Sequence, residues 1–524
     1  MLLNSAYPSL KPPQQNHFWF HIPKTAVPKT TSLSLPSPTK TNTQNRFPQQ
    51  TLAVSATQQN HSVTVVSIVG DGSFSPIKST PWEQVMLHTA DRLKWVDEGY
   101  EMLVFTDKFL TCKDQESNNS DINKALLQAN ILVIVGIQNQ ASIDWLLKNT
   151  KTIPNVVCFD SFPLLTNKLG GLQVPSAVAG NLAEKIAGKF LNGRSNEAID
   201  TAKTISKAWN RYNSDDIRFV ILVIINGYVR PVPILQGLRA KGFSTLKCMA
   251  KNCRAEILGC LLDSNCRKAL QCLNTCDPTD QVCSYMCIAS YESPKLEAFS
   301  LCALQKHNCL DLSAEIPEKP IVFPLREFRG EKLSHEVAED LFVGCLGSFE
   351  WSWRVAAGQN PAYDQFPCQY QLFYRGKARG SFWYEPVFQV RTLDGEMVWR
   401  RRRYRVRRGD TPGTFFFSVS DNGVVSKEFW TIIDVCDDLR WGLFHYKGAA
   451  QASGQSYIGA VLVTPDGRYP SENGGQRLAN ALEKCYVKEW ELYNVDNGCC
   501  PLPPLGLPQG SSLHQKLNPV FSGS

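Results

Sequence analysis

No apolar run in this sequence is long enough to cross a bilayer. The most apolar stretch, "FVILVII" at Phe219–Ile225, meets Asn226 and then Arg230 and two prolines, whereas a spanning helix needs about 20 apolar residues. It therefore reads as a buried strand or a core helix. A P-loop is also absent. "GDGSFSP" at Gly70–Pro76 has two glycines and lacks the third of a dinucleotide fingerprint, so no nucleotide is expected and the stretch reads as a strand-to-helix turn. No acidic residue precedes Asp71. The first 60 residues are rich in Ser, Thr, Pro, Gln and Asn and carry Lys11, Lys24, Lys29, Lys40 and Arg46. Such an acid-poor leader, without a long apolar core, reads as an organellar transit peptide, of plastid rather than mitochondrial type, with a disordered tail as the alternative. A net charge of +7 over 524 residues is mild and does not argue for nucleic acid.

The length suits two to four domains. Residues 61–215 alternate apolar runs with helical ones: "VTVVSIVG", "EMLVFTD", "ILVIVGI" and "NVVCFDS" as strands, and "PWEQVMLHTADRLKWVDE", "SDINKALLQA" and "SIDWLLKNT" as helices. Strands alternating with helices predict a doubly wound parallel sheet. An apolar segment and linker at 216–245, a cysteine-rich segment at 246–312 and a charged connector at 313–350 follow. Residues 351–500 then carry eight runs rich in aromatic and β-branched residues, from "WSWRVAAG" to "SYIGAVLVT", separated by turns such as "LDGE" and "SDNG". Eight such strands predict a closed antiparallel barrel able to hold one small ligand. "GGQRLANALEKCYVKEWE", from Gly474, reads as a helix after it, and residues 501–524 as a loose tail. The expected fold is thus multidomain, α/β plus all-β.

Ten of the 18 cysteines fall between Cys248 and Cys309. The cluster contains no CxxC, and His307 is its single histidine, so neither a zinc site nor a CxxC redox centre is supported. An even number in so short a segment suits a disulfide framework in a region too small to rely on its core. Spacing alone does not give the pairing.

The series Cys248, Cys253, Cys260, Cys266, Cys272, Cys276, Cys283, Cys287, Cys302 and Cys309 resembles the cysteine-rich domain of violaxanthin de-epoxidases in order and spacing. The resemblance extends into the barrel through "GQNPAYDQFPCQ" at Gly358–Gln369, "HYKG" at His445–Gly448, "GAVLVT" at Gly459–Thr464 and "VDNGC" at Val495–Cys499. It covers roughly residues 246–500. It implies a lipocalin-like barrel and the bridges Cys248–Cys266, Cys253–Cys260, Cys272–Cys287, Cys276–Cys283, Cys302–Cys309 and Cys368–Cys499. It also implies an enzyme that reduces xanthophyll 5,6-epoxides, taking violaxanthin to zeaxanthin with ascorbate as co-substrate and no metal. The reaction needs an acid to protonate the epoxide oxygen, and a carboxyl in an apolar barrel suits that need because burial disfavours its anion.

By the same resemblance, Asp364 and Glu428 stand as acids or ascorbate-orienting groups, and Tyr446 as a hydrogen-bond donor. Ordinary barrel residues are the alternative for each. The match departs where Pro367 replaces a second acid and where Gln371 and Tyr374 replace two histidines, so a catalytic chain is expected to lack the family's histidine pH switch. Those losses leave open a non-catalytic barrel that binds a carotenoid or another apolar lipid. "RRRRYRVRR" at Arg400–Arg408 puts arginine on both faces of a strand. It reads as a solvated hairpin end or as a surface for anionic plastid lipid or a protein partner. A nucleic-acid role has no reading motif to support it. The resemblance implies the thylakoid lumen or a thylakoid-associated position rather than the soluble stroma, and the disulfides likewise favour an oxidising site, although no second apolar signal follows the leader.

Overall fold

Four short strands form a parallel sheet: β1 (Val63–Val69), β2 (Tyr100–Thr106), β3 (Ile131–Val135) and β4 (Val156–Phe159), in the order β2-β1-β3-β4. The computed structural model describes residues 62–111, 116–168, 193–236, 242–277, 280–343, 353–364, 366–375, 381–470, 475–498, 502–506 and 512–513, and the expected leader at 1–60 lies outside them. Both faces of the sheet are covered. Val63, Val65 and Val69 pack with α1 (Trp82–Lys94), and Val66 and Ile68 with residues of α2 (Glu116–Gln128) and α3 (Gln140–Asn149). Burial on both faces explains why these strands read as continuous apolar runs.

Helix α4 (Gly193–Trp209) and helix α5 (Ser214–Tyr228) join the α1 face. The run "FVILVII" lies in α5, so residues 216–228 belong to the α/β core and are not a linker. The local cause is clear. Asn213 caps the helix by accepting from the Asp216 amide, and Asp215 and Asp216 occupy its first turn. Ile217, Val220, Ile221, Ile224 and Ile225 then recur at helical spacing and are buried. The crest of the sheet beside "GDGSFSP" is covered by the chain's own rings. Trp209 stacks on Phe159 at 3.8 Å and on Trp82 at 5.1 Å.

The cysteine-rich region is a chain of short helices: α6 (Gly242–Asn252), α7 (Arg254–Leu262), α8 (Ser264–Leu273), α9 (Gln281–Ser290) and α10 (Pro294–Ser300), the last continuing as a wider turn at Leu301–Lys306. Cys272 pairs with Cys287 and Cys276 with Cys283, as the resemblance implies. Three implied bridges are overturned. The structure joins Cys248 to Cys309, Cys253 to Cys302 and Cys260 to Cys266, instead of Cys248–Cys266, Cys253–Cys260 and Cys302–Cys309. The segment doubles back, so Cys302 and Cys309 return beside Cys253 and Cys248, with Cα separations of 5.9 and 5.4 Å. Cys260 and Cys266 flank the turn that Asp263 caps. Cys368 is also disulfide-bonded, and its expected partner Cys499 lies outside the described residues. Two sulfur-rich groups, Cys253/Cys302/His307 and Cys276/Cys283/Cys287, have a ligand-like clustering, but their cysteines are in disulfides and offer no thiolates.

The barrel comprises β5 (Arg354–Gly358), β6 (Tyr370–Arg375), β7 (Ser381–Arg391), β8 (Met397–Arg401), β9 (Tyr404–Arg408), β10 (Thr414–Asp421), β11 (Val424–Val435), β12 (Gly442–Ala450) and β13 (Gln455–Thr464). Eight of these close the ring, β5-β6-β7-β9-β10-β11-β12-β13 and back to β5, all antiparallel. The arginine-rich run is two strands rather than one, because β8 and β9 pair successively along β7. The break falls opposite Pro386, which has no N–H for the ladder; its carbonyl takes the Arg402 amide at 3.3 Å. Helix α11 (His335–Val343) sends Phe342 into the barrel, 4.6 Å from the Phe415 ring and 4.9 Å from that of Phe444. After the barrel, α12 covers only Gly475–Lys484, and a single short turn at Glu489–Glu491 follows where a longer helix was expected. No helix among the described residues is long and apolar enough to cross a membrane.

Most of the arginine run is occupied by partners within the chain. Arg400 reaches the Ala289 carbonyl and Glu292 beside α9, and Arg402 binds Asp421 at 2.7 Å. Arg401 and Arg403 both bind Glu385, and Arg408 holds Glu336 and Glu339 of α11 at 2.8 and 2.6 Å. Arg405 and Arg407 are exposed. The run is therefore chiefly internal bracing, neither a solvated hairpin end nor a continuous cationic surface.

Candidate active site

Strand alternation sends every second barrel residue inward. Tyr384, Tyr404, Glu428, Trp430 and Tyr446 thereby meet around a cavity of about 60 Å³, which Asp364, Tyr363, Gln371 and Tyr457 also line. Asp364 comes from the turn after β5, where the Asn360 carbonyl takes its amide at 2.7 Å and its Oδ2 takes the Asn360 amide at 2.7 Å. The Tyr446 hydroxyl donates to the same Oδ2 at 2.9 Å. Burial pushes the Asp364 carboxyl up to about 7, against the downward pull of the Asn360 amide and Tyr446 and with an upward push from Glu428.

Glu428, on β11, accepts from Tyr457 at 2.7 Å and from the Trp430 indole at 2.6 Å. Burial raises its pKa too, and those two donors oppose the rise. Two buried carboxyls thus face one cavity with their acid forms favoured, and each has tyrosine beside it. The arrangement can hold a proton near neutral pH and deliver it to a polar oxygen in an otherwise aromatic enclosure.

The sequence blocks that carry the family resemblance have a steric meaning here. A Cβ on Gly358 would lie 2.4 Å from Asp364 Cγ, one on Gly459 would lie 2.6 Å from the Tyr446 hydroxyl, and one on Gly448 would lie 2.3 Å from the Tyr457 ring. Each glycine leaves the space that a site side chain occupies. The structure brings together all three expected residues, Asp364, Glu428 and Tyr446. It adds Tyr457, Trp430, Tyr363, Tyr384 and Tyr404, which sequence reasoning missed. Inward parity relative to Glu428 and Tyr446 was the available signal for Trp430, Tyr384, Tyr404 and Tyr457; Tyr363 lies on the same turn as Asp364 and had no such signal.

The positions that depart from the family diverge in space. Gln371 lines the cavity. Tyr374 points to the other face of β6, where its hydroxyl donates to Glu385. His445, next to Tyr446 in sequence, also faces away, and burial holds it down to about 4, hence neutral. A larger open groove of about 750 Å³ lies at the opposite end of the barrel, between Cys436–Trp441 and Thr464–Pro470. Its charges are mutually paired and partly exposed, as in Arg440 with Asp438 and Arg477 with Asp434. The two buried acids, Asp364 and Glu428, face the smaller cavity instead.

Fold and cavity together define a lipocalin-type barrel with a disulfide-bonded helical region attached. Residues 245–497 match the family described as the VDE lipocalin domain, and the chain is a relative of the violaxanthin de-epoxidase family. It is similar to the chloroplastic violaxanthin de-epoxidase of Spinacia oleracea, with 22% identity over 59% of this chain and 63% of that one. The enzyme of Nicotiana tabacum gives 23% over 58% and 60%, and that of Arabidopsis thaliana 24% over 50% and 54%. The chain thus spans less than two thirds of each relative's length. Among solved structures, lobster apocrustacyanin A1 is 12% identical over 28% of this chain and 78% of its own, with a TM-score of 0.22. Odorant binding protein OBP1 is 16% identical over 27% and 86%, with a TM-score of 0.20.

Proposed function

We propose that the protein is an oxidoreductase of the violaxanthin de-epoxidase type that reduces a xanthophyll epoxide with ascorbate. The observation that carries this reading is the pair of Asp364 and Tyr446, hydrogen-bonded at 2.9 Å in a buried cavity, with the carboxyl pushed up to about 7 by that burial. In the reaction, both epoxide C–O bonds break, a double bond forms between the two carbons and the oxygen leaves as water. Ascorbate supplies two electrons and two protons, one of them by reprotonating Asp364, and becomes dehydroascorbate. Protonated Asp364 supplies the proton to the epoxide oxygen as the first C–O bond opens, because an alkoxide is a poor leaving group. Tyr446 orients Asp364, and Glu428, coupled to it, is the second acid.

The cavity is about 60 Å³, roughly a fifth of the smallest ordinary ligand pocket. A pigment end group enters only when lining aromatics move aside. The names of the relatives support a chloroplast location, and the disulfides support an oxidising compartment within it.

A second reading is a pigment- or lipid-binding barrel without turnover. Gln371 favours it, since a neutral amide lines the cavity where the resemblance has a histidine. Incubation of the protein with violaxanthin, galactolipid and ascorbate across pH separates the two. Conversion that follows one proton near neutrality supports the enzyme, and a steep multi-proton onset contradicts the absence of a histidine switch. Stoichiometric pigment binding without conversion at any pH supports the binder.

A further inference from the structure

Outside residues 245–497, the α/β region contributes a buried charge cluster that ends at the candidate site. Glu491, in the turn after α12, is 6% exposed. Its Oε1 accepts from Arg92 of α1 at 2.9 Å, and its Oε2 lies 2.9 Å from His88 Nε2, also on α1. Arg92 is itself held by Ser214 at 2.8 Å and Asp215 at 2.6 Å, at the start of α5. The contact is reinforced by rings: Trp490 meets the His88 ring edge-on at 5.4 Å, and Tyr486 meets Trp95 at 5.0 Å. Burial alone would raise the Glu491 carboxyl, yet His88 and Arg92 hold it down to about 2.

The same carboxylate reaches the other way. Glu491 Oε1 accepts from Gln359 Nε2 at 3.1 Å, and Gln359 immediately precedes the Asn360 turn that carries Asp364. The backbone amides of Asn360 and Gln359 both act on the Asp364 carboxyl and lower its pKa. A single buried carboxylate therefore connects a helix of the α/β region to the turn that aims the site's acid.

We propose that His88 and Arg92 of the α/β region, acting through Glu491 and Gln359, are positioning residues for Asp364. The α/β region is then a structural part of the site and not an independent passenger. The role rests on reading Asp364 as the site's acid, and its test requires no turnover. In the full-length chain, Arg92→Met cuts the path at its far end, Gln359→Ala cuts it at the near end, and Arg92→Lys keeps the cation. Two quantities are measured: hydrogen exchange of the 359–364 amides, and titration of the Asp364 carboxyl by infrared difference spectroscopy, assigned by its loss in Asp364→Asn.

Both cuts are expected to speed exchange at 359–364 by about tenfold. They also move the Asp364 midpoint upward by about one pH unit, because the amides that favour its anion fall out of line. Exchange in Gly442–Ala450 stays unchanged, and Arg92→Lys recovers most of both effects. A purely structural clamp would loosen the whole barrel and leave the midpoint in place, which would overturn the proposal. Loosening confined to α1 would overturn it as well. If Arg92→Met does not fold, Gln359→Ala decides, since it leaves the Arg92–Glu491 pair intact; an unmoved midpoint there rejects the path. Pigment conversion enters none of these readings, so a failure of the de-epoxidase assignment is told apart from a failure of the positioning role.

Discussion

The hydroxyl of Tyr446 donates to Asp364 Oδ2 over 2.9 Å, although the two residues, one on a loop and one on a strand, stand 82 positions apart. The bond serves the anion, while burial serves the acid, and burial wins: the carboxyl is pushed up to about 7. The folded state thus binds the Asp364 proton more tightly than the unfolded chain does. Stability from this group is greatest near pH 4 and falls as pH rises toward and through 7. Asp364→Asn removes that dependence. Wild type should lose stability relative to Asp364→Asn between pH 5 and 8, by an amount on the order of a few kcal/mol at full ionisation. Paired melting curves at both pH values check it, and the difference cancels His445, whose lowered pKa acts in the opposite sense. A difference that does not change with pH would contradict the buried-acid reading.

Gly459→Ala places a methyl 2.6 Å from the Tyr446 hydroxyl, closer than side chains tolerate, at a cost of about 1–3 kcal/mol. The barrel should still fold by circular dichroism. The hydroxyl, however, must leave Asp364, so the Asp364 midpoint should rise and pigment conversion should fall by at least about tenfold. Full activity in this variant would remove Tyr446 from the site.

Phe342 of α11 fills the barrel between Phe415, Phe444 and their neighbours. Phe342→Ala should cost about 3–5 kcal/mol. It should also create a dry cavity that takes up a small apolar probe, read by thermal stabilisation with added benzene-like ligands. No probe-dependent stabilisation would mean that the barrel collapses around the vacancy.

The bridges Cys248–Cys309 and Cys253–Cys302 close loops of 61 and 49 residues, whereas Cys260–Cys266 closes one of 6. On loop-closure entropy, removing Cys253–Cys302 by paired Ser substitutions should cost about 4 kcal/mol and removing Cys260–Cys266 about 2 kcal/mol. Non-reducing peptide mapping should recover 253 linked to 302. Recovery of 253 linked to 260 would restore the pairing implied by family resemblance.

The eight barrel runs were legible because alternation and turn residues are local signals, and only Pro386 hid the split of the arginine run. The parallel sheet was legible for a different reason: its strands, buried on both faces, are continuous apolar runs alternating with helices. The disulfide partners were not, because Cys253 finds Cys302 only after the helical segment doubles back. The long-range function of "FVILVII" depended on a local cap, Asn213 with Asp216, that turns an apolar run of ambiguous type into a helix. Asp364, Glu428 and Tyr446 could be named from short blocks. Tyr457 could not, although Gly448 in "HYKG" marks the space its ring occupies. The arginines from Arg400 to Arg408 looked available for a partner only because Glu385, Asp421, Glu292 and Glu339 are distant in sequence.

The most direct test of the account is pigment conversion by wild type and Asp364→Asn, with violaxanthin, galactolipid and ascorbate, from pH 4.5 to 8.5. Wild type should convert epoxide to alkene with a one-proton profile falling through about pH 7, ascorbate should be consumed in equal molar amount, and Asp364→Asn should lose at least about a hundredfold of the rate. Equal turnover by the two proteins would contradict it, as would an absence of turnover by wild type at every pH with pigment bound.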